Sequence, residues 1–190
     1  MSTPAPHLFV DAVEGGEREL DALAAAWLPL VYGWCHRLGG PRVDAEDAAH
    51  EVMLTMCRSL HKVRSAEVFG TWLFATTRRT LANHRRKAWW RKWLPGPVRE
   101  RPTAAWSPLR TVEAQEAADT VWAALDTLPP AQKEVLVLCV LEEHTTAEVA
   151  ELVGAPQGTV KSRLRLARRA VRQTLVDGGL DVSALLEGVG

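Results

Sequence analysis

The sequence predicts an all-α protein made of two small helical domains that a proline-rich linker joins. Apolar residues recur at three- and four-residue spacing over much of the chain, as in helices that bury one face, and alternating strand patterns are nearly absent. Residues 95–108 hold four prolines, one glycine and no periodicity, which is typical of a linker. We expect five segments in order: a tail at 1–18, a domain at 19–94, the linker at 95–111, a domain at 112–177 and a tail at 178–190.

Three helices are expected in the first domain. The first covers residues 19–38 and ends at a glycine pair followed by Pro41, because glycine and proline terminate helices. The second runs from Asp44 to Leu60 and carries acids in its first turn, where the helix dipole favours negative charge. The third runs from Val68 to about Trp90.

The second domain is predicted to end in two helices joined by a tight turn. Before them, a stripe of Ala117, Val121 and Leu128 predicts one helix, and two prolines at 129–130 separate it from the next, which begins near Val135. Further on, Thr145 and Glu148 have the spacing of a capping box. Gly154 is expected to end that helix, and Pro156 to begin the last one.

The last helix separates apolar from basic residues. An apolar stripe at helical spacing consists of Val160, Leu164, Ala167 and Val171. Another face carries Lys161, Arg165, Arg168 and Arg172, with Ser162 and Arg169 beside them. A solvated amphipathic helix is the alternative, but such faces usually mix charge signs and residues 161–172 contain six cations and no acid. The pattern therefore predicts a DNA-binding helix-turn-helix.

The charge distribution predicts two DNA contacts although the formal net charge is zero. Of the 23 Lys and Arg residues, nine lie between Arg78 and Arg101 and six between Lys161 and Arg172, with Glu100 as the one acid in both windows. Local charge governs attraction to phosphates, because counterion release scales with the contacts made.

Several other function classes find no support in the sequence. Three widely spaced cysteines predict reduced, buried thiols and no disulfide framework, and a zinc site is disfavoured because no tight ligand pairs occur. No phosphate loop, nucleophile elbow or HExxH motif is present, so we expect neither catalysis nor a cofactor. No secretory leader or membrane-spanning run is recognisable, so we expect a cytoplasmic protein with no membrane insertion.

Three segments resemble one family, the extracytoplasmic-function (ECF) sigma factors of bacterial RNA polymerase. LDTLPPAQKEVLVLCVLEEHTTAEVAELVGAPQGTVKSRLRLARRAVRQTL is similar to the family's −35-binding domain. DAEDAAHEVML (residues 44–54) resembles its polymerase-core-binding helix, and FGTWLFATTRRTLANHRR (residues 69–86) resembles its −10-recognition helix. The motifs occur in the family's order on either side of a linker and cover most of residues 20–175.

The resemblance implies a sigma factor that directs initiation by binding core RNA polymerase (β′ clamp and β flap) and promoter DNA, and that an anti-sigma factor restrains. The residues implied for core binding are Asp44, Glu46, Asp47, His50 and Glu51. Those implied for the −10 element, including capture of a flipped base, are Val63, Arg64, Trp72, Arg78, Arg79, Asn83 and Arg86. Those implied for the −35 element are Gly158, Thr159, Lys161, Ser162, Arg163, Arg165 and Arg168. The chain departs from the family at His50, Val63 and Arg79, where glutamine, an aromatic residue and asparagine are common.

Two alternatives stay open at this point. The first is a stand-alone helix-turn-helix regulator whose N-terminal half senses a ligand or dimerises. The second concerns Trp89, Trp90 and Trp93, which alternate with cations. We favour their anchoring the linker to the first domain or to polymerase over their forming a platform for single-stranded DNA. Four other tryptophans fall at helical spacing and are predicted to be core residues: Trp27, Trp34, Trp72 and Trp122.

Overall fold

The computed structural model describes residues 6–40, 43–91 and 112–178 of the chain, which divides into two compact units, Met1–Glu100 and Arg101–Gly190. The described part of the first unit holds α1 (His7–Glu14), α2 (Glu17–Gly39), α3 (Ala45–Ser59), a 3₁₀ turn (Leu60–Lys62) and α4 (Ala66–Arg91). That of the second holds α5 (Val112–Asp126), α6 (Pro130–Leu136), a π-helical turn (Val137–Leu141), α7 (Thr146–Val153) and α8 (Gln157–Asp177). No strand occurs in these ranges, and the all-α prediction is confirmed. The proline-rich segment lies outside them.

Helix α1 lies where the sequence predicted a tail. Its anchor is Phe9, which is buried and lies 5.1 Å from the Phe69 ring between centroids. Gly15 ends the helix, and the Glu19 carboxylate accepts from the Gly16 amide at 2.9 Å at the start of α2. Only eight residues form α1, so its periodicity was too short to be recognised, and tertiary contact with α4 holds it in place.

Aromatic rings fix α4 against α2. Trp27 meets Phe69 edge to face at 5.0 Å, and Trp34 meets Phe74 in the same way at 4.9 Å, a preferred geometry for buried rings. Both tryptophans are buried, as predicted, with 3% and 2% of their surface exposed. Trp72 is only half-buried: one face of its ring stacks on Phe69 at 6.0 Å, at the edge of the cluster. The prediction that it is a core residue is therefore wrong in part.

In the second unit, α6 and α5 pack against α8, and the π-helical turn packs against α7. The predicted break at the two prolines is confirmed, but α6 begins at Pro130 and not near Val135, because a proline fits the first position of a helix. Beyond it, the amide of Glu142 donates to the carbonyl of Val137 at 3.1 Å, which widens the last turn. Residues 133–139 are buried without a break, so the π-helical turn continues a buried run that begins on α6. Trp122, predicted to be a core residue, is half-buried on α5.

The cysteines divide into two buried and one exposed. Cys35 and Cys139 are buried as expected, and burial raises the pKa of the Cys35 thiol to about 12. Cys57 is exposed, so the expectation of a buried thiol is wrong there. It lies on the outer side of α3, while Val52 and Met56 point into the core.

Among the helices that the structure describes, none combines the length and apolar composition needed to cross a membrane.

Candidate nucleic-acid interface

Helix α7 begins with the predicted capping box. The amide of Glu148 donates to Thr145 Oγ1 at 3.3 Å, and the amide of Thr145 donates to Glu148 Oε2 at 2.7 Å. The Thr145 hydroxyl also donates to the same carboxylate oxygen at 2.8 Å. These hydrogen bonds, from the hydroxyl first and the amide second, lower the pKa of Glu148. The start of α7 is thus fixed by local contacts.

The turn between α7 and α8 also has the predicted geometry. Gly154 adopts a left-handed conformation with φ of 64°, and its amide donates to Glu151 at 3.3 Å. Pro156 is extended, and α8 begins at Gln157. The side-chain amide of Gln157 donates to Thr146 Oγ1 at 3.0 Å, which joins the first turns of both helices. This contact, which the sequence analysis missed, orients α8 relative to α7.

Helix α8 presents its candidate DNA residues opposite a buried stripe. The stripe is the predicted one, extended by Leu175: Val160, Leu164, Ala167 and Val171. Gly158, Lys161, Ser162 and Arg165 are exposed, as are Arg169 and Arg172. The Ser162 hydroxyl donates to the carbonyl of Thr159 at 2.9 Å. Its exposed oxygen can therefore serve as a hydrogen-bond acceptor for a partner. The first three turns of α8 therefore expose cations and polar groups on one surface.

Three predicted residues of α8 are half-buried: Thr159, Arg163 and Arg168. Arg168 lies near Cys139 of the π-helical turn. Burial raises the pKa of that thiol, and the charge of Arg168 lowers it to a smaller extent. Because Arg168 faces this packed region, it differs from Arg165, whose side chain is exposed.

The second candidate surface follows α4 and the loop before it. Arg79 and Arg86 are exposed, while Arg78 and Asn83 are half-buried. Arg86 Nη2 donates to Asn83 Oδ1 at 3.2 Å, so these two predicted residues are neighbours on the helix. In the loop, Arg64 is exposed and Val63 is half-buried. Trp72 presents its outer face on the first half of the same helix.

One cation of this basic window has an internal role. Arg85 Nη1 donates to the carbonyl of Leu38 at 3.0 Å, and the guanidinium is half-buried. Leu38 lies in the last turn of α2, where carbonyls lack partners within the helix. Arg85 thus ties α4 to the end of α2, a long-range contact that charge pattern alone does not reveal.

The acidic residues of α3 fall into two groups. Asp44 caps the helix, because its Oδ1 accepts from the amides of Glu46 at 3.0 Å and Asp47 at 3.1 Å. Glu51 Oε2 lies 2.9 Å from Nε2 of His84, at hydrogen-bonding distance across to α4. Glu46, Asp47 and His50 are exposed. Of the five predicted core-binding residues, these three form an outward surface, whereas Asp44 and Glu51 also hold the fold together.

Comparison with known proteins identifies the family. The chain is 31% identical to the ECF RNA polymerase sigma factor SigE of Mycolicibacterium smegmatis, over 82% of this chain and 61% of that protein. It is 29% identical to the ECF sigma factor RpoE of Cereibacter sphaeroides, over 76% of this chain and 80% of that protein. The family Sigma-70 region 2 matches residues 23–91, and Sigma-70, region 4 matches residues 118–171. The chain belongs to the ECF sigma factors.

Solved structures show the same fold. CnrH, solved in complex with the cytosolic domain of CnrY, aligns with a TM-score of 0.67 and 20% identity over 92% of this ECF sigma factor and 98% of CnrH. The sigma factor RpoE of Bartonella quintana, solved with the anti-sigma factor NepR, aligns with a TM-score of 0.66 and 19% identity over 84% of this chain and 98% of that one.

The family matches bear on the two functional alternatives. Region 2 covers α2 to α4, and region 4 covers most of α5 to α8. A stand-alone regulator would need an effector or dimerisation domain in the N-terminal half, which region 2 occupies instead. The sigma-factor interpretation is therefore favoured over the stand-alone regulator. Sigma factors are initiation factors and not enzymes. Helix α1 lies outside both family matches.

Proposed function

We propose that this ECF sigma factor docks on core RNA polymerase through α3 and reads promoter DNA through α4 and α8. The observation that carries the proposal is the separation of exposed charge: acids in the first two turns of α3, and cations in the second half of α4 and along α8. Opposite charges suit opposite partners, a basic protein surface and a phosphate backbone. The chemistry of transcription then belongs to the polymerase, and the chain needs no cofactor or metal of its own.

The docking surface is Glu46, Asp47, His50 and Leu54. Leu54 lies one turn beyond His50 and is 40% exposed, which places an apolar side chain at the C-terminal edge of the acidic surface. An exposed leucine beside carboxylates suits a basic partner with an apolar recess, and we assign this role to the β′ clamp. The second unit would contact the β flap. Asp44 and Glu51 support this surface by capping α3 and by joining it to α4.

The −10 surface is α4 with its preceding loop. Arg79 and Arg86 would hold backbone phosphates, while Val63, Arg64 and Trp72 would border a base flipped out of the helix. Arg78 and Asn83 complete the set, with Asn83 held by Arg86. Valine offers no ring for stacking and arginine suits guanine or phosphate, so we expect a −10 preference that differs from relatives with an aromatic residue and asparagine.

Helix geometry supports a division of the −35 surface into base contacts and phosphate contacts. A rise of about 1.5 Å per residue places Arg165 about 10 Å along the axis from Gly158, within the width of the major groove at about 12 Å. Arg172 lies about 21 Å from Gly158, beyond that width. We therefore assign base edges to Lys161, Ser162 and Arg165, and phosphates to the later arginines. Thr159, Arg163 and Arg168 would position the helix.

Because its proposed partners are RNA polymerase and chromosomal DNA, we expect this sigma factor to act in the cytoplasm. We also expect an anti-sigma factor as a partner, by analogy with RpoE of Bartonella quintana and its anti-sigma factor NepR. Such a partner would have to cover at least one of the three exposed charged surfaces to block initiation.

The docking assignment can be tested with Asp47→Ala. This change removes an exposed carboxylate that caps nothing, so we expect weaker binding to core polymerase, in the order of tenfold, without loss of helix content. Asp21→Ala is the matched control, since Asp21 is an exposed acid of the same unit on α2. Binding of fluorescently labelled variants to core polymerase measures the effect. Equal affinities for wild type, Asp47→Ala and Asp21→Ala would contradict the assignment.

The −35 assignment can be tested with Arg165→Ala and Arg172→Ala. Loss of a base contact should cost about 1–3 kcal/mol and relax sequence preference at one base pair. Loss of a phosphate contact should weaken binding to all sequences. It should also reduce the slope of log K against log salt concentration by about one. Anisotropy titrations with −35 duplexes at several salt concentrations separate the two. Identical profiles for the two variants would refute the division.

A further inference from the structure

Trp89, in the last turns of α4, exposes 51% of its surface. The tryptophans of α2 in the same unit, Trp27 and Trp34, expose 3% and 2%. The unit thus has interior sites for large rings, and Trp89 does not occupy one. A half-exposed indole presents a large apolar surface that a planar partner can cover. The exposure disfavours the expectation that this ring is an anchor in the core of its own domain.

The helical neighbours of Trp89 include two cations, one of which belongs to the proposed −10 surface. Arg86 and Arg85 precede it by three and four residues, the spacings that bring side chains together on a helix. Arg86 is exposed and contacts Asn83, whereas Arg85 is bonded to Leu38. Between Glu67 and Glu100 the sequence has no acidic residue. The helix segment that carries the ring is therefore basic in sequence, which favours a polyanion as its partner.

We propose that Trp89 is a stacking platform for a nucleobase of the opened promoter strand, with Arg86 holding the adjacent phosphate. An aromatic face beside an arginine is the combination that single-stranded DNA binds, since every base has a π-face and every linkage a charge. The proposal rests on the proposed function and extends the −10 surface by one helical turn beyond Arg86. A base stacked on one ring adds about five- to a hundredfold in affinity.

Leucine and tyrosine at position 89 separate stacking from apolar anchoring. Trp89→Leu keeps an apolar side chain but removes the ring face, and Trp89→Tyr keeps a ring. Holoenzyme made from core polymerase and the full chain would be titrated with two DNAs from a promoter mapped by its transcripts. One is a promoter fragment with a mismatched, pre-opened −10 region. The other is a duplex that carries the −35 element and stops before −10.

The stacking proposal expects Trp89→Leu to bind the pre-opened fragment at least fivefold more weakly than wild type, and Trp89→Tyr to remain within about twofold. Both variants should bind the short duplex and core polymerase as wild type does. If Trp89→Leu keeps full affinity for the pre-opened fragment, or instead loses affinity for core polymerase, the ring is not a base platform.

Arg86→Ala distinguishes failure of this inference from failure of the proposed function. If Arg86→Ala weakens binding to the pre-opened fragment and Trp89→Leu does not, the −10 surface stands and the stacking proposal is overturned. If wild-type holoenzyme binds the pre-opened fragment no better than core polymerase alone, the proposed function itself fails.

Discussion

Replacing Gly158 by alanine should change stability and DNA affinity in opposite directions. Gly158 is the second residue of α8 and is exposed. A Cβ atom built there meets no other atom within 4 Å, so alanine fits without rearrangement. Alanine is better than glycine in a helix by about 0.5–1 kcal/mol, because less backbone entropy is lost on folding. In a unit of this size that gain corresponds to about 2–8 °C in unfolding midpoint.

The same methyl group should weaken binding to the −35 element. Gly158 lies at the end of α8 that we place in the major groove. The space around it, which is open in the free protein, would be occupied by DNA in the complex. Accommodating one extra methyl in a close contact costs about 1–3 kcal/mol. Thermal unfolding followed by circular dichroism gives the first effect, and anisotropy titration of a −35 duplex gives the second.

Gly154→Ala is the matched control for Gly158→Ala. Its Cβ also meets nothing within 4 Å, but Gly154 has φ of 64°, where an L-residue costs about 1–2 kcal/mol. The two substitutions should therefore shift the unfolding midpoint in opposite directions. DNA affinity equal to wild type would refute the placement of Gly158 against DNA, and a lower midpoint for Gly158→Ala would refute the expected gain in helix stability.

Three further predictions concern contacts within each unit. His84→Ala removes the partner of Glu51 and should destabilise the first unit by about 1 kcal/mol in denaturant unfolding; an unchanged midpoint would contradict the α3–α4 link. Thr145→Ala removes the cap of α7 and should cost the second unit about 1 kcal/mol, whereas unaltered thermal unfolding would count against the capping box. At pH 8 a thiol reagent should modify exposed Cys57 quickly and Cys35 slowly, because burial raises the pKa of Cys35 to about 12 and keeps it protonated. Equal modification rates for Cys57 and Cys35 would contradict this burial pattern.

The helix-turn-helix could be predicted almost residue by residue because its determinants are local. The capping box at Thr145, the left-handed Gly154 and the start of α8 after Pro156 each depend on residues within four positions. The buried stripe from Val160 onwards follows from helical periodicity alone. The acids of its first turn also predicted the start of α3, although Asp44, which was expected inside the helix, is its N-cap.

The contacts that the sequence did not reveal join residues far apart in the chain. Glu51 and His84, and likewise Arg85 and Leu38, meet only because α2, α3 and α4 pack together. The π-helical turn was missed because an extra residue in a buried helix leaves no signal in propensity. The same long-range packing gives Glu51 and Arg85, which their charge places at the surface, a structural role within the fold.

Run-off transcription from a mapped promoter tests the central claim most directly. Core polymerase, the purified full chain and linear promoter DNA are mixed, and RNA of defined length is measured. The account predicts a specific transcript that needs both proteins and is reduced by Asp47→Ala and by Arg165→Ala, each acting at a different step. A chain that binds promoter DNA tightly yet shows no affinity for core polymerase and yields no transcript would contradict it.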